Sequence, residues 1–96
     1  MIVAFGNRLA EDLFHGETTK ASRVFPVELR RPAQRKLQYL NSAKTLDDLR
    51  VPPGNRLEAL RGEWNGFHSI RVNDKWRIVF RWLDGEAHDV RVVDYR

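Results

Sequence analysis

The sequence predicts an α+β domain in which two N-terminal helices pack on one face of a twisted antiparallel β-sheet. Leu29, Ala33, Leu37 and Leu40 recur at helical spacing, and after Gly54 the period changes to alternation. Within that second half, Trp76, Ile78, Phe80 and Trp82 form a stripe on one strand face that needs cover. At 96 residues and 42% hydrophobic content the chain supports one compact core, so residues 1–96 are read as a single domain.

Met1-Ile2-Val3-Ala4-Phe5 is a short apolar run before Gly6-Asn7-Arg8, without a basic leader. It fits neither a signal peptide nor a membrane span and reads as an opening strand. Leu9, Leu13 and Phe14 then recur helically behind a candidate Asn7 cap, which predicts a first helix from Asn7 to about His15, ended by Gly16. Glu17 to Arg23 is polar and aperiodic, an exposed connection expected to be mobile before it meets a partner.

The second helix is expected from Pro26 to about Ala43. Pro32 either starts its regular part or kinks it, because proline lacks the N–H and its ring crowds a helix interior. The arginines on its outer side are read as solvated. Asp47 to Gly54 is rich in breakers and leads into the sheet. From Phe67 to Asn73, His68, Ile70 and Val72 share one face, while Ser69, Arg71 and Asn73 take the other. Turns at Asn73-Asp74 and Asp84-Gly85 bracket the Trp76 to Trp82 strand, and Val90 and Val92 alternate in a last strand running to Asp94. The N-terminal strand, the two helices and three to four later strands complete the expected order. Opposite the aromatic stripe, Arg71, Arg77 and Arg81 mark an open, concave, cationic face suited to a single nucleic-acid strand.

The absence of cysteine excludes disulfides and thiolate ligands and suits a reducing compartment, so the cytoplasm is expected. A net charge of +4 favours a polyanionic partner, although small domains also carry such a balance for solubility. Thirteen of the seventeen cations are arginine, whose planar fork grips phosphate and stacks on bases. His15, His68 and His88 lack the spacing of a metal site. His68 reads as a satisfied core or interface histidine, and no P-loop, dinucleotide fingerprint or nucleophile elbow occurs. No metal or cofactor is expected. What remains is acid–base chemistry at an RNA phosphate, where the 2′-hydroxyl is a built-in nucleophile and arginines neutralise developing charge.

Pro52-Pro53-Gly54-Asn55-Arg56-Leu57-Glu58-Ala59-Leu60-Arg61-Gly62, Gly66, Ser69-Ile70-Arg71-Val72-Asn73-Asp74, Trp76-Arg77-Ile78-Val79-Phe80 and Val93-Asp94-Tyr95 together resemble the HigB family of the RelE/ParE superfamily, over about residues 37–95. The resemblance implies a RelE-like fold and a type II host-inhibition toxin. Such a toxin is a ribosome-dependent, metal-independent endoribonuclease that cuts mRNA in the small-subunit decoding site and leaves a cyclic phosphate. It also implies a helix-turn-helix antitoxin of the HigA type, through which alone the toxin would meet operator DNA, and no membrane association.

By the same resemblance, Arg61 stands near the scissile phosphate, Arg77 stabilises the transition state, and Glu58 takes a position where some members carry a histidine base. Asp94 orients partners and Tyr95 positions the nucleotide. Arg56, Arg71 and Arg81 are the flanking RNA-binding candidates. The family commonly ends Asp-Tyr-His, whereas this chain ends Asp94-Tyr95-Arg96. Arginine can hold phosphate but cannot exchange a proton near neutrality, so attenuation or inactivation is one expected consequence. The structural alternative for Glu58 is an ion pair with Arg56 or Arg71 across the sheet, worth about 0.2–1 kcal/mol. Two other functions stay open: a ParE-like toxin that binds DNA gyrase, and a catalytically dead binder of ribosome or antitoxin.

Overall fold

The computed structural model describes residues 1–95, and Arg96 lies outside them. Asn7 opens helix α1 (Arg8–His15) as expected: its backbone is extended, and its side-chain oxygen accepts from the Ala10 N–H at 3.0 Å. The same side chain donates to the Val92 carbonyl at 3.0 Å, so one residue both starts the helix and ties it to the sheet. Gly16 ends the helix at φ 71°, a left-handed position that glycine adopts without steric cost. Helix α2 (Arg30–Ser42) is preceded by a short 3₁₀ turn, Val27–Leu29, so regular helix begins later than Pro26. Pro32 falls in its first turn, where its missing N–H leaves no bond unmade. Ala33, Leu37 and Leu40 are its buried face.

The sheet is antiparallel in the order β1 (Glu58–Ala59), β2 (His68–Arg71), β3 (Trp76–Leu83), β4 (Glu86–Asp94). Asp84 and Gly85 close the β3–β4 hairpin with φ 52° and 75°, both left-handed, the combination that matches the twist of the flanking strands. The expected opening strand is reduced to two parallel bridges, Ile2 with Ala87 and Phe5 with Val90. The cause is a bulge in β4: Val79 faces Arg91 and Arg81 faces His88, so Phe80 opposes two residues, one of them Asp89 at φ 52°.

The helices cover one sheet face. Ile70, Ile78, Phe80, Ala87, Val90 and Val92 are buried there against Ala10, Leu13, Leu37 and Leu40, with Trp76 and Trp82 half-buried at the ends of the stripe. The other face is not the open arginine surface expected from alternation. Residues 60–67 fold back across it through the turn Gly62–Trp64, and Leu60, Phe67 and Val79 form a second apolar cluster flanked by Trp64, Val93 and Tyr95. The Leu60 N–H donates to the Phe67 carbonyl at 2.9 Å and closes this flap. Ser69, assigned by alternation to the polar face, is fully buried and accepts from Arg77 Nη1.

The Glu17 to Arg23 connection, expected to be mobile, is tethered. The Asp12 carboxylate is buried and accepts from the Thr19 hydroxyl and from Arg8 Nε at 2.8 Å. The Glu17 N–H donates to the Asp12 carbonyl, and Arg30 donates to the carbonyl of buried Ser22. The Thr19 hydroxyl, and then Arg8, hold the Asp12 carboxyl below its ordinary range even though burial opposes the charge. Among the described residues no helix is long and apolar enough to cross a membrane.

Candidate active site

Asn55 organises the approach to the site. It is buried, accepts from the Lys36 ammonium, and donates to the Leu49 and Val51 carbonyls at 3.3 and 3.4 Å. Burial, and then neighbouring Arg35, lowers the Lys36 pKa. The chain turns through Pro53–Asn55, passes Arg56 at φ 47°, and enters β1 with Glu58 opposite Ser69.

Arg77 on β3 is opposite Arg71 on β2 and Val93 on β4, pointing to the flap-covered face. Its side chain is only 15% exposed. Nη1 donates to Glu58 Oε1 at 3.3 Å and to Ser69 Oγ at 3.3 Å, and the Tyr95 ring centroid lies 5.8 Å from Cζ. Nε is buried and has no partner among the described residues. Glu58 is half exposed, so its carboxylate is reachable by a solute while one oxygen engages the guanidinium. Neither expected partner of Glu58, Arg56 or Arg71, is its partner: Arg71 pairs with Asp74 in the adjacent turn, and Arg56 is exposed on the left-handed residue before the strand.

The C-terminal pair joins the same end of the sheet. Asp94 is opposite Trp76 and lies 3.6 Å from the Lys75 ammonium, while the Tyr95 N–H donates to the Lys75 carbonyl at 2.9 Å. The structure thus gathers Glu58, Arg77 and Tyr95, with Asp94 and Arg71 beside them. Arg61 is exposed at the start of the Gly62–Trp64 turn and makes no ion pair among the described residues. Arg81 is near the other end of β3, paired with Asp89 at 3.4 Å and stacked on Phe67. Arg96 falls outside the described residues.

Ser69 is the cluster member that sequence reasoning missed as a contributor. Its place between Ile70 and the arginine face signalled only polarity, whereas its hydroxyl steadies Arg77. His68 faces the helix-covered core, stacked at 6.2 Å on Phe80. Its Nδ1 is buried without a partner among the described residues, so the expectation of a satisfied histidine does not hold for that atom. Burial, and then Arg50, lowers its pKa. Among the described residues no group of three His, Asp or Glu side chains could hold a metal ion. A cavity of about 340 Å³ lies elsewhere, between the outer side of α2 and the Pro52–Asn55 turn, lined by Arg35, Lys36 and Tyr39 among others.

Two helices on a four-stranded antiparallel sheet give the α+β architecture of the RelE-like toxins. The same fold occurs in the YoeB–YefM complex from Staphylococcus aureus, with TM-score 0.61, 14% identity, and coverage of 100% of this chain and 98% of that one. A YafQ mutant from E. coli gives TM-score 0.57 and 16% identity, over 98% and 93% of the two chains. The chain belongs to the HigB-like toxin family, the RelE-like toxins of type II toxin–antitoxin systems, whose family description matches residues 4–96. It is 40% identical to Toxin HigB-1 of Vibrio cholerae over 87 residues, which is 91% of this chain and 90% of that protein. It is also 32% identical to a Proteus vulgaris protein named Endoribonuclease HigB, over 62% of this chain and 64% of that one.

Proposed function

We propose that this chain is a ribosome-dependent mRNA endoribonuclease, the toxin of a type II pair, acting in the cytoplasm and needing no metal. The observation that carries the reading is the shielded Arg77 guanidinium, oriented by Glu58 and Ser69 beside Tyr95. A cation held in place at low exposure interacts strongly with charge that develops next to it and needs little reorganisation to do so. The relative named as an endoribonuclease supports the same chemistry.

In the proposed reaction, the ribose 2′-oxygen bonds to phosphorus as the bond to the 5′-oxygen breaks, leaving a cyclic phosphate and a 5′-hydroxyl. Glu58 takes the 2′-hydroxyl proton. Arg77, joined by Arg61, neutralises the non-bridging oxygens, and Tyr95 stacks on or positions the nucleotide. Asp94 keeps the tail in register through Lys75. Arg56 and Arg71 hold the strand on either side. Arg96 stands where a histidine is common in the family and binds phosphate without serving as acid, so the leaving oxygen draws its proton from another group and the activity is attenuated.

The partners in this reading are mRNA, the decoding site of the small ribosomal subunit, and a helix-turn-helix antitoxin of the HigA type that alone contacts operator DNA. The test is to add the purified chain to a translating extract and map transcript ends. Cleaved mRNA that disappears with Arg77→Ala is the expected result. Intact transcripts in an inhibited extract would overturn the nuclease, and loss of gyrase supercoiling activity would establish the gyrase-binding alternative instead.

A further inference from the structure

Beyond the Arg77 cluster, the same sheet face carries a second arrangement of cations and rings. Arg81 Cζ lies 4.6 Å from the Phe67 ring centroid, the Phe67 and Trp64 rings meet edge to face at 5.2 Å, and Arg91 Cζ lies 5.8 Å from the Trp64 ring. The order is thus guanidinium, ring, ring, guanidinium. Trp64 and Tyr95 border one apolar cluster, so this platform is continuous with the Arg77 site.

Arg91 is the informative member. It makes no ion pair among the described residues, unlike Arg71, Arg77 and Arg81, and its Nε is buried without a hydrogen-bond partner. Its position is nonetheless constrained. A Cβ placed on Gly6 would come within 2.4 Å of Arg91 Nε, so the side chain runs close over glycine backbone on one side and faces the indole on the other. A guanidinium held this way has no hydrogen-bond or ion-pair partner among the described residues and sits beside a half-buried indole.

We infer that Arg91, Trp64, Phe67 and Arg81 form a subsite for an RNA nucleotide flanking the cut, the base stacking on Trp64 and its phosphate held by the two guanidiniums; this rests on the nuclease reading above. Arg77 and Arg81 are four residues apart on one strand face, about 13 Å at roughly 3.3 Å per residue. The occupant is therefore a neighbour of the reacting nucleotide along the same strand. A nucleotide matches both halves of the arrangement, since its base has a π-face and its backbone carries a phosphate, whereas an acidic peptide uses only the guanidiniums.

The test follows the three tryptophan indole N–H signals and the Tyr95 backbone amide signal by NMR in the full chain, with Trp64 assigned through Trp64→Phe and Tyr95 through Tyr95→Phe. The probes are a dinucleotide and a hexanucleotide, both 2′-deoxy at the cut to prevent cleavage. The hexanucleotide is expected to shift the Trp64 signal and to bind roughly five- to a hundredfold more tightly than the dinucleotide, the range for one stacked base. Arg91→Gln is expected to remove most of that length-dependent gain. Arg91→Lys, which keeps the charge and loses the planar fork, should keep part of it, with peak dispersion confirming that each variant is folded.

If the hexanucleotide shifts Tyr95 and leaves Trp64 unmoved, the subsite is wrong and the nuclease reading stands. If neither oligonucleotide shifts any signal, the RNA reading and the subsite fall together. If an acidic peptide shifts Trp64 and RNA does not, the platform is a protein contact and the inference is overturned.

Discussion

Arg77 reaches over β2 to Glu58, Nη1 to Oε1 at 3.3 Å, while its own cross-strand neighbour Arg71 turns away to Asp74. Two arginines directly opposite on adjacent strands repel, and each is compensated by a different carboxylate. The division leaves Arg77 oriented and shielded at the strand ends and Arg71 more exposed at 27%.

Arg77→Ala is expected to reduce transcript cleavage about 10²–10³-fold, the usual cost of losing one oriented donor to a developing anion. Arg77→Lys should recover only part, because an ammonium cannot reproduce the fork held between Glu58 and Ser69. Glu58→Gln keeps the shape and removes the base, with an expected loss of about 10²–10⁴-fold. Quantitative primer extension on mRNA from a translating extract measures all three.

Arg96→His is expected to raise growth inhibition and transcript cleavage above the parent, by restoring a side chain that can exchange a proton near neutrality. Equal activity of the two proteins in the same extract would show that the last side chain is not the acid.

The Asp12 tether makes the Glu17 to Arg23 connection acid-sensitive. Its carboxyl is held below the ordinary value of about 3.9, so its contribution is present above that value and is lost as pH falls through the lower folded one. Hydrogen exchange at Thr19 to Ser22 should speed up at that acid end. Asp12→Asn should show fast exchange there already at neutral pH.

His68 acts at milder pH. Its folded pKa lies below the ordinary 6.5, so the unfolded chain binds the proton first and stability declines as pH falls from about 6.5 towards the folded value. His68→Leu should flatten that part of a urea-melting series across pH 5 to 7, with the parent curve sloping downward on acidification.

Phe80 is fully buried between His68 and Trp82 at the centre of the main core. Phe80→Ala is expected to cost about 3–5 kcal/mol by urea denaturation. Gly54→Ala, where a Cβ would meet nothing within 4 Å, should change stability by less than about 0.5 kcal/mol in the same assay.

The sequence by itself determined the elements whose signals are local or periodic. Asn7 caps α1 and Gly16 ends it, Leu37 and Leu40 face the core, Asp84-Gly85 turns the hairpin, and the Ile78 and Phe80 stripe is buried. Each follows from one residue's backbone preference or from a repeat of 3.6 or 2 residues. The family too was legible in the Pro52 to Gly62 stretch, matched within residues 4–96. Only the tertiary structure decided the rest. Glu58 meets Arg77, and not Arg56 or Arg71, because strand register and turn pairing select a carboxylate's partner after the sheet forms. Residues 60–67 carry no period, so nothing local revealed that Leu60 and Phe67 would pack on Val79 across the arginine face, with Trp64 against them. The Asp89 bulge divided the opening strand, and Asp12 fixed a loop that looked free, because both depend on segments distant in the chain arriving at one place.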